Sequence, residues 1–320
     1  MHVTPVDLDG LPKAELHVHL EGTISAETAA EFAAREGAPP PPRVFHDLPS
    51  FIDSFIATMR TLTRPDDYAR ITREYCEAAA RQGVRYIEMT TTPLSLDFEV
   101  RREALRLAVA EADATDVVVR WIVDVPRLFT EDVGWDLLDA ALSQPGVFAL
   151  GLGGPEAGYP PEAWANVFAK AREAGLLSIP HAGEAAGPES VRGALDALGA
   201  VRIQHGIRAL EDGELVARLR DDRIPLAVCP TSNVLLGGCP GMDAHPLSEI
   251  AGHGIVFTVN TDDPGYFGAS LLDEYANAGR LLGLGRAGYA ALARTSVETS
   301  YAPPELRDEM LAGITAWAAA

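Results

Sequence analysis

The sequence predicts a (β/α)8 barrel of the α/β class, with a helical lid inserted after the first strand. Three observations predict it. Eight short apolar, β-branched runs alternate with stretches of helical spacing. Parallel neighbours need a crossover long enough to hold a helix, and eight such units close most naturally into a barrel. No Gly-x-Gly-x-x-Gly turn follows the first run, which counts against an open, doubly wound sheet.

The strand runs fall at 15–20, 84–92, 117–125, 147–153, 177–182, 202–205, 225–229 and 255–260. The stretch 66–82 reads as a helix because Tyr68, Ile71, Tyr75 and Ala79 share one face and Gly83 ends it. Helices are also expected at 99–114, 131–142, 161–174, 188–198, 211–220, 270–282 and 304–318. The longest excursion, 24–82, contains 47–62, where Phe51, Phe55 and Met59 recur every fourth residue. That amphipathic helix suits either the barrel mouth or the barrel wall. No linker or repeat divides residues 1–320, so one domain is expected. The tract Pro39-Pro40-Pro41-Pro42 is a stiff spacer within an early loop.

Composition narrows the function. The chain carries 26 basic and 46 acidic residues, net −20, the wrong sign for a nucleic-acid partner or an anionic membrane surface. No apolar run reaches the ~18 residues of a membrane span. Residues 1–10 lack a basic leader, and three cysteines make no disulfide framework, so a reducing cytoplasm is expected.

In such a barrel the chemistry lies at the C-terminal ends of the strands. The first run holds His17-Val18-His19, whose i, i+2 spacing turns both rings to one side. By itself this pair suits two hydrogen-bonded core histidines equally well. The fifth run ends in His181-Ala182-Gly183-Glu184, the sixth in His205-Gly206, and the eighth in Asp262-Asp263-Pro264. Adjacent carboxylates are costly to bury unless paired or bound to a cation, although Pro264 also fits a plain turn into a helix. Packing alone does not easily place all four groups at strand ends. Imidazoles with a carboxylate suit Zn²⁺, which would lower the pKa of a bound water from ~15.7 to ~7. Glu184 and His205 would remain for proton transfer. Cys229 and Cys239 are too far apart for the Pro-Cys-x-x-Cys of cytidine-type zinc deaminases. Of the two lysines, Lys13 precedes the first run and Lys170 lies in a helix, so no lysine is placed to bridge two metals.

The segment from Leu11 to Gly22, with His181-Ala182-Gly183-Glu184, His205-Gly206, Cys229-Pro230-Thr231-Ser232-Asn233 and Asn260-Thr261-Asp262-Asp263-Pro264, resembles the adenosine deaminase family in order and spacing. The resemblance implies a (β/α)8 amidohydrolase that removes the 6-amino group of a purine or purine nucleoside. It implies one Zn²⁺ per chain, held by His17, His19, His181 and Asp262. Glu184 would protonate ring N1, and His205 would orient the attacking oxygen and take its proton. Asp263 would contact N7, the Gly154 N–H would reach N3, and Glu21 and His19 would face the remainder of the substrate.

This chain departs from the family pattern on the sugar side. Glu21 stands where adenosine-specific members carry Asp, and resembles the adenine deaminase branch. The fourth run ends Gly151-Leu152-Gly153-Gly154-Pro155-Glu156 where Asp-Leu-Ala-Gly-Asp-Glu is usual, and Thr90 replaces an Arg. The expected reaction is still adenosine to inosine plus ammonia, and because the departures lie on the sugar side, free adenine and a modified adenosine such as aminodeoxyfutalosine stand as alternatives. A non-purine amidohydrolase would not need Asp263, and a non-catalytic binding protein would not need the whole set. His245 and His253 are assigned no role, and Ser232 and Asn233 are expected to satisfy turn backbone, with shaping of the pocket as the alternative.

Overall fold

The computed structural model describes residues 6–92 and 98–320. Its strands are β1 Lys13–His19, β2 Val84–Thr91, β3 Val118–Pro126, β4 Val147–Gly153, β5 Leu177–Ser178, β6 His181–Ala182, β7 Ile203–His205, β8 Leu226–Val228 and β9 Phe257–Val259. All pairings are parallel, in the orders β1-β2-β3-β4-β5 and β6-β7-β8-β9. Both groups belong to one barrel. Pro180 has no N–H to donate, which separates β5 from β6. Around that break, Ile179 N–H still donates to Leu150 O and Gln204 N–H to Pro180 O. The barrel closes where Asp262 N–H donates to His17 O (3.1 Å) and His19 N–H to Asp262 O (2.8 Å). With β5 and β6 counted as one strand, the result is the eight-stranded (β/α)8 barrel.

The strands read as apolar runs because they are covered on both faces. Every residue of β2 except Arg85 is buried. The interior also holds charge. Arg202 donates to Glu88, and Lys13, the first residue of β1, donates its ammonium to the carbonyls of Leu8, Leu11 and Gln82. Lys13 is thus occupied at the N-terminal end of its strand.

The insertion between β1 and β2 contains helices Ala26–Arg35, Leu48–Met59 and Pro65–Ala80. Asp47 caps the second by accepting from Ser50 N–H, while the Ser50 hydroxyl accepts from Asp47 N–H. Phe51 packs with Leu236 and Phe267, so this helix sits on loops that follow β8 and β9. A helix at Arg286–Glu298 was not foreseen; its Ala- and Gly-rich sequence carries little apolar periodicity. Among the described residues, no helix is long and apolar enough to cross a membrane.

Candidate active site

The strand ends deliver their polar residues to one cleft of about 810 Å³, counted to its open mouth. His19, Asp124, Gly154, His181, Glu184, His205, Asp262 and Asp263 line it. His17 is fully buried behind them. Three non-glycine residues among those described have positive φ, and two are His205 (64°) and Asp262 (67°). Such backbone costs energy and persists only where its surroundings enforce it. Here it turns a side chain out of a strand end into the cleft.

The imidazoles meet in an arrangement that hydrogen bonds do not explain. His17 Nδ1–H donates to Ala227 O at 3.2 Å, and His181 Nδ1–H to Leu152 O at 3.1 Å. Carbonyls only accept, so both Nδ1 atoms carry hydrogen. Burial, together with neighbouring histidines, keeps both rings below the usual imidazole pKa. Their Nε2 lone pairs therefore face each other across 3.1 Å. His19 Nε2 lies 3.0 Å from His181 Nε2, and Asp262 Oδ1 lies 3.1 Å from His17 Nε2 and 3.3 Å from His19 Nε2. Ligands of a tetrahedral zinc stand roughly 3.3 Å apart. Burial opposes charge on His19, but Asp262, Asp263 and Asp124 outweigh it and raise its pKa to about 10. Imidazole nitrogens converging on a buried carboxylate oxygen suit positive charge at their centre. One proton cannot serve all these atoms, whereas a divalent ion can. The residues fit a metal, and the carbonyls behind His17 and His181 orient the rings as supports of metal ligands commonly do.

The remaining carboxylates differ in charge. Burial opposes ionisation of Asp262, but His17 and His205 hold it well below the usual carboxylate range. Burial, then repulsion from Asp262, raises Glu184 and Asp263 well above that range. Burial thus favours the protonated, hydrogen-donating form of each. Asp263 Oδ1 has no hydrogen-bond partner, and a Cβ at Gly22 would overlap this carboxylate. Burial lowers His205 to about 3.

Several contributors were not anticipated. Asp124, inside an apolar strand run, has a pKa raised to about 7 by burial, with Oδ2 3.6 Å from His181 Nδ1. It pairs in register with Gly151, where a Cβ would collide with it. A carboxylate absent from β4 is thus supplied from β3. Glu156 accepts from the N–H groups of Gly183 (2.9 Å), Glu184 (2.8 Å) and Ala185 (3.3 Å), and so holds the turn that carries Glu184. Ser232 Oγ–H donates to Asp262 Oδ2 at 2.7 Å. Glu21 does not line the cleft. Its Oε1 accepts from Thr91 Oγ1–H and Thr92 N–H, both 2.8 Å, because those groups close over the buried carboxylate. Its Oε2 is buried without a hydrogen-bond partner, behind the Thr92 that lines the cleft. Ser232 and Asn233 stand just past the end of an apolar strand, a position that signals them, whereas Asp124 lies inside its run.

A barrel with a metal-type His/Asp centre at its strand ends defines the class: an amidohydrolase. The chain matches the model of a family described as adenosine deaminase over residues 12–317. It is 39% identical to an aminodeoxyfutalosine deaminase of Streptomyces avermitilis, covering 97% of this chain and 92% of that protein. It is 37% identical to an adenine deaminase of Cupriavidus necator, covering 95% and 91%. The crystal structure of an adenine deaminase from Arthrobacter aurescens superposes with a TM-score of 0.91 at 34% identity, covering 97% and 99%. The chain belongs to the adenosine deaminase family, and it is a hydrolase of C–N bonds that deaminates adenine-type substrates.

Proposed function

We propose that this chain uses one Zn²⁺ to hydrolyse the C6–N bond of an adenine nucleoside whose N9 substituent extends beyond the sugar into apolar contact, as in a modified adenosine of the aminodeoxyfutalosine kind. The observation that carries the reaction is the convergence of His17, His19, His181 and Asp262 beside Glu184, whose burial favours its protonated form. These four residues would hold the ion. When bound there, Zn²⁺ supplies a Lewis acid able to ionise water near neutral pH.

The chain's own groups perform the rest. Glu184 donates its proton to ring N1, which leaves C6 electron-poor. Asp263, whose Oδ1 is unpartnered, meets N7, while the Gly154 N–H meets N3. His205 faces the attacking oxygen. The new bond is C6–O, the broken one C6–N, and ammonia leaves. His19, at the cleft surface, contacts the near side of the sugar. Helix Leu48–Met59 acts as the roof, and residues 1–320 work as one catalytic domain.

The roof supports the choice of substrate. Leu48, Phe51, Ile52, Phe55, Ile56 and Met59 face the cleft. That stretch of helix covers roughly 17 Å, much more than a purine ring system. Leu128 and Phe129 extend the apolar surface, and no Lys or Arg lines the cleft among the described residues. A phosphate finds no counter-charge there, and plain adenosine leaves the far apolar run uncovered. Free adenine is the second reading, supported by the 0.91 superposition on the Arthrobacter enzyme. An absorbance assay for loss of the 6-amino chromophore, run on adenine, adenosine, AMP and aminodeoxyfutalosine, tests this. The expected kcat/KM is highest for aminodeoxyfutalosine and lowest for AMP. Preference for free adenine would overturn the N9 assignment, and no turnover of any of the four would overturn the reaction.

A further inference from the structure

A chain of buried hydrogen bonds ends on His205, and its direction can be read without ambiguity. It starts at Leu247 N–H, which donates to His245 Nδ1 at 3.1 Å. A backbone amide only donates, so His245 Nδ1 carries a lone pair. Burial lowers the pKa of His245 to about 4, which keeps the ring neutral with its hydrogen on Nε2. That Nε2–H lies 3.2 Å from Asn233 and can be received only by the amide oxygen, Oδ1. The other end of the amide, Nδ2–H, must then donate to His205 Nδ1, also at 3.2 Å. Side-chain amides and imidazoles are usually ambiguous in orientation. Here one backbone amide fixes both rings and the amide between them. His205, with Nδ1 already accepting, keeps its own hydrogen on Nε2. That atom stands 3.7 Å from both Glu184 Oε2 and Asp262 Oδ2, too far for a direct hydrogen bond to either.

We propose that His245 and Asn233 are positioning residues that fix the tautomer of His205, so that it donates a hydrogen bond toward the attacking oxygen instead of taking that oxygen's proton. The proposal rests on His205 facing the attacking oxygen, as above, but a tautomer is measurable without turnover, so the two readings can fail separately. A preorganised donor at that point stabilises the charge that gathers on oxygen as C6 is attacked. A reversed ring presents a lone pair there and repels it. Neither His245 nor Asn233 touches substrate; both act through His205. Both are buried and shielded from water, which would otherwise let the amide turn over.

The test is Asn233→Asp in the zinc-loaded protein labelled with ¹⁵N-histidine. A carboxylate accepts at both ends, so it draws the His205 hydrogen onto Nδ1. Wild type is expected to show His205 protonated at Nε2 and the variant at Nδ1. kcat should fall by about 10²–10⁴-fold, the range for a misdirected acid–base group, while KM changes far less. His245→Leu removes the donor that orients Asn233, and is expected to give mixed tautomers with a smaller loss of kcat. His245→Gln retains a donor and should recover most of it. A wild-type spectrum with the hydrogen on Nδ1 overturns the proposal. So does an Asn233→Asp protein whose tautomer is unchanged, or whose tautomer shifts while kcat does not. If Asn233→Asp fails to fold or bind zinc, the His245 pair decides, and identical tautomers and kcat in Leu and Gln variants overturn it.

Discussion

The two walls of the cleft are built on opposite principles. The floor consists of polar groups at strand ends, each held by hydrogen bonds to the barrel backbone: His17 to Ala227, His181 to Leu152, the Glu184 turn to Glu156. The other wall, proposed above as the roof, is one helix whose facing side is apolar and whose barrel-side contacts run through Phe51 to Leu236 and Phe267. Directional bonds fix atoms within tenths of an ångström, as proton transfer and ligation demand. Apolar contact is tolerant of shape and weakly directional. The floor is therefore suited to a single reaction, and the roof to variation in what is attached to the reacting base.

The strongest way to break this division is to remove the metal. Exhaustive chelation should abolish turnover, and Zn²⁺ should restore it; full activity in metal-free protein would remove the basis for the floor. Next comes Glu184→Gln, which keeps the shape and loses the proton. Turnover should drop by about 10²–10⁴-fold with metal content unchanged, measured by initial rate and metal analysis on the same sample. The pH profile sharpens the same point. Glu184 must be protonated to act, and burial raises its pKa well above the carboxylate range. Turnover requiring this acid is present below that raised pKa and declines as pH rises through it. A rate controlled by an ordinary carboxylate would already have declined by pH 6. The smallest effect is expected at the roof. Phe55, half-buried there, replaced by Ala should lower kcat/KM for the long-substituent nucleoside by roughly 10-fold relative to free adenine. With the base held by the floor as proposed, kcat should change little. A matching loss for both substrates would show that the roof does not discriminate.

The floor was largely legible in sequence because its groups sit on strands of known period, next to turns that expose them. His17 and His19 share a face by i, i+2 spacing, and His181, His205 and Asp262 each close an apolar run. Asp124 was hidden because it lies within an apolar run and matters only through Gly151 on the neighbouring strand, a pairing that register creates. His245 was hidden for another reason. Its importance lies in which of its nitrogens accepts, and no residue pattern encodes that. Periodicity identified the helix around Phe51, but an amphipathic stripe does not name the surface it covers. Alternation of strands and helices fixed the barrel, whereas the short helix Pro230–Leu235, which carries Ser232 and Asn233, was too brief to signal itself.

Asp262 does more than face the cleft: its backbone is stitched between His17 and His19, so the residue that completes the cluster also closes the wall. During translation the two histidines leave the ribosome far ahead of their partner. Until residue 262 emerges, the nascent polypeptide cannot finish the cylinder. A product terminated before that aspartate would lack the contact that joins the last strand to the first.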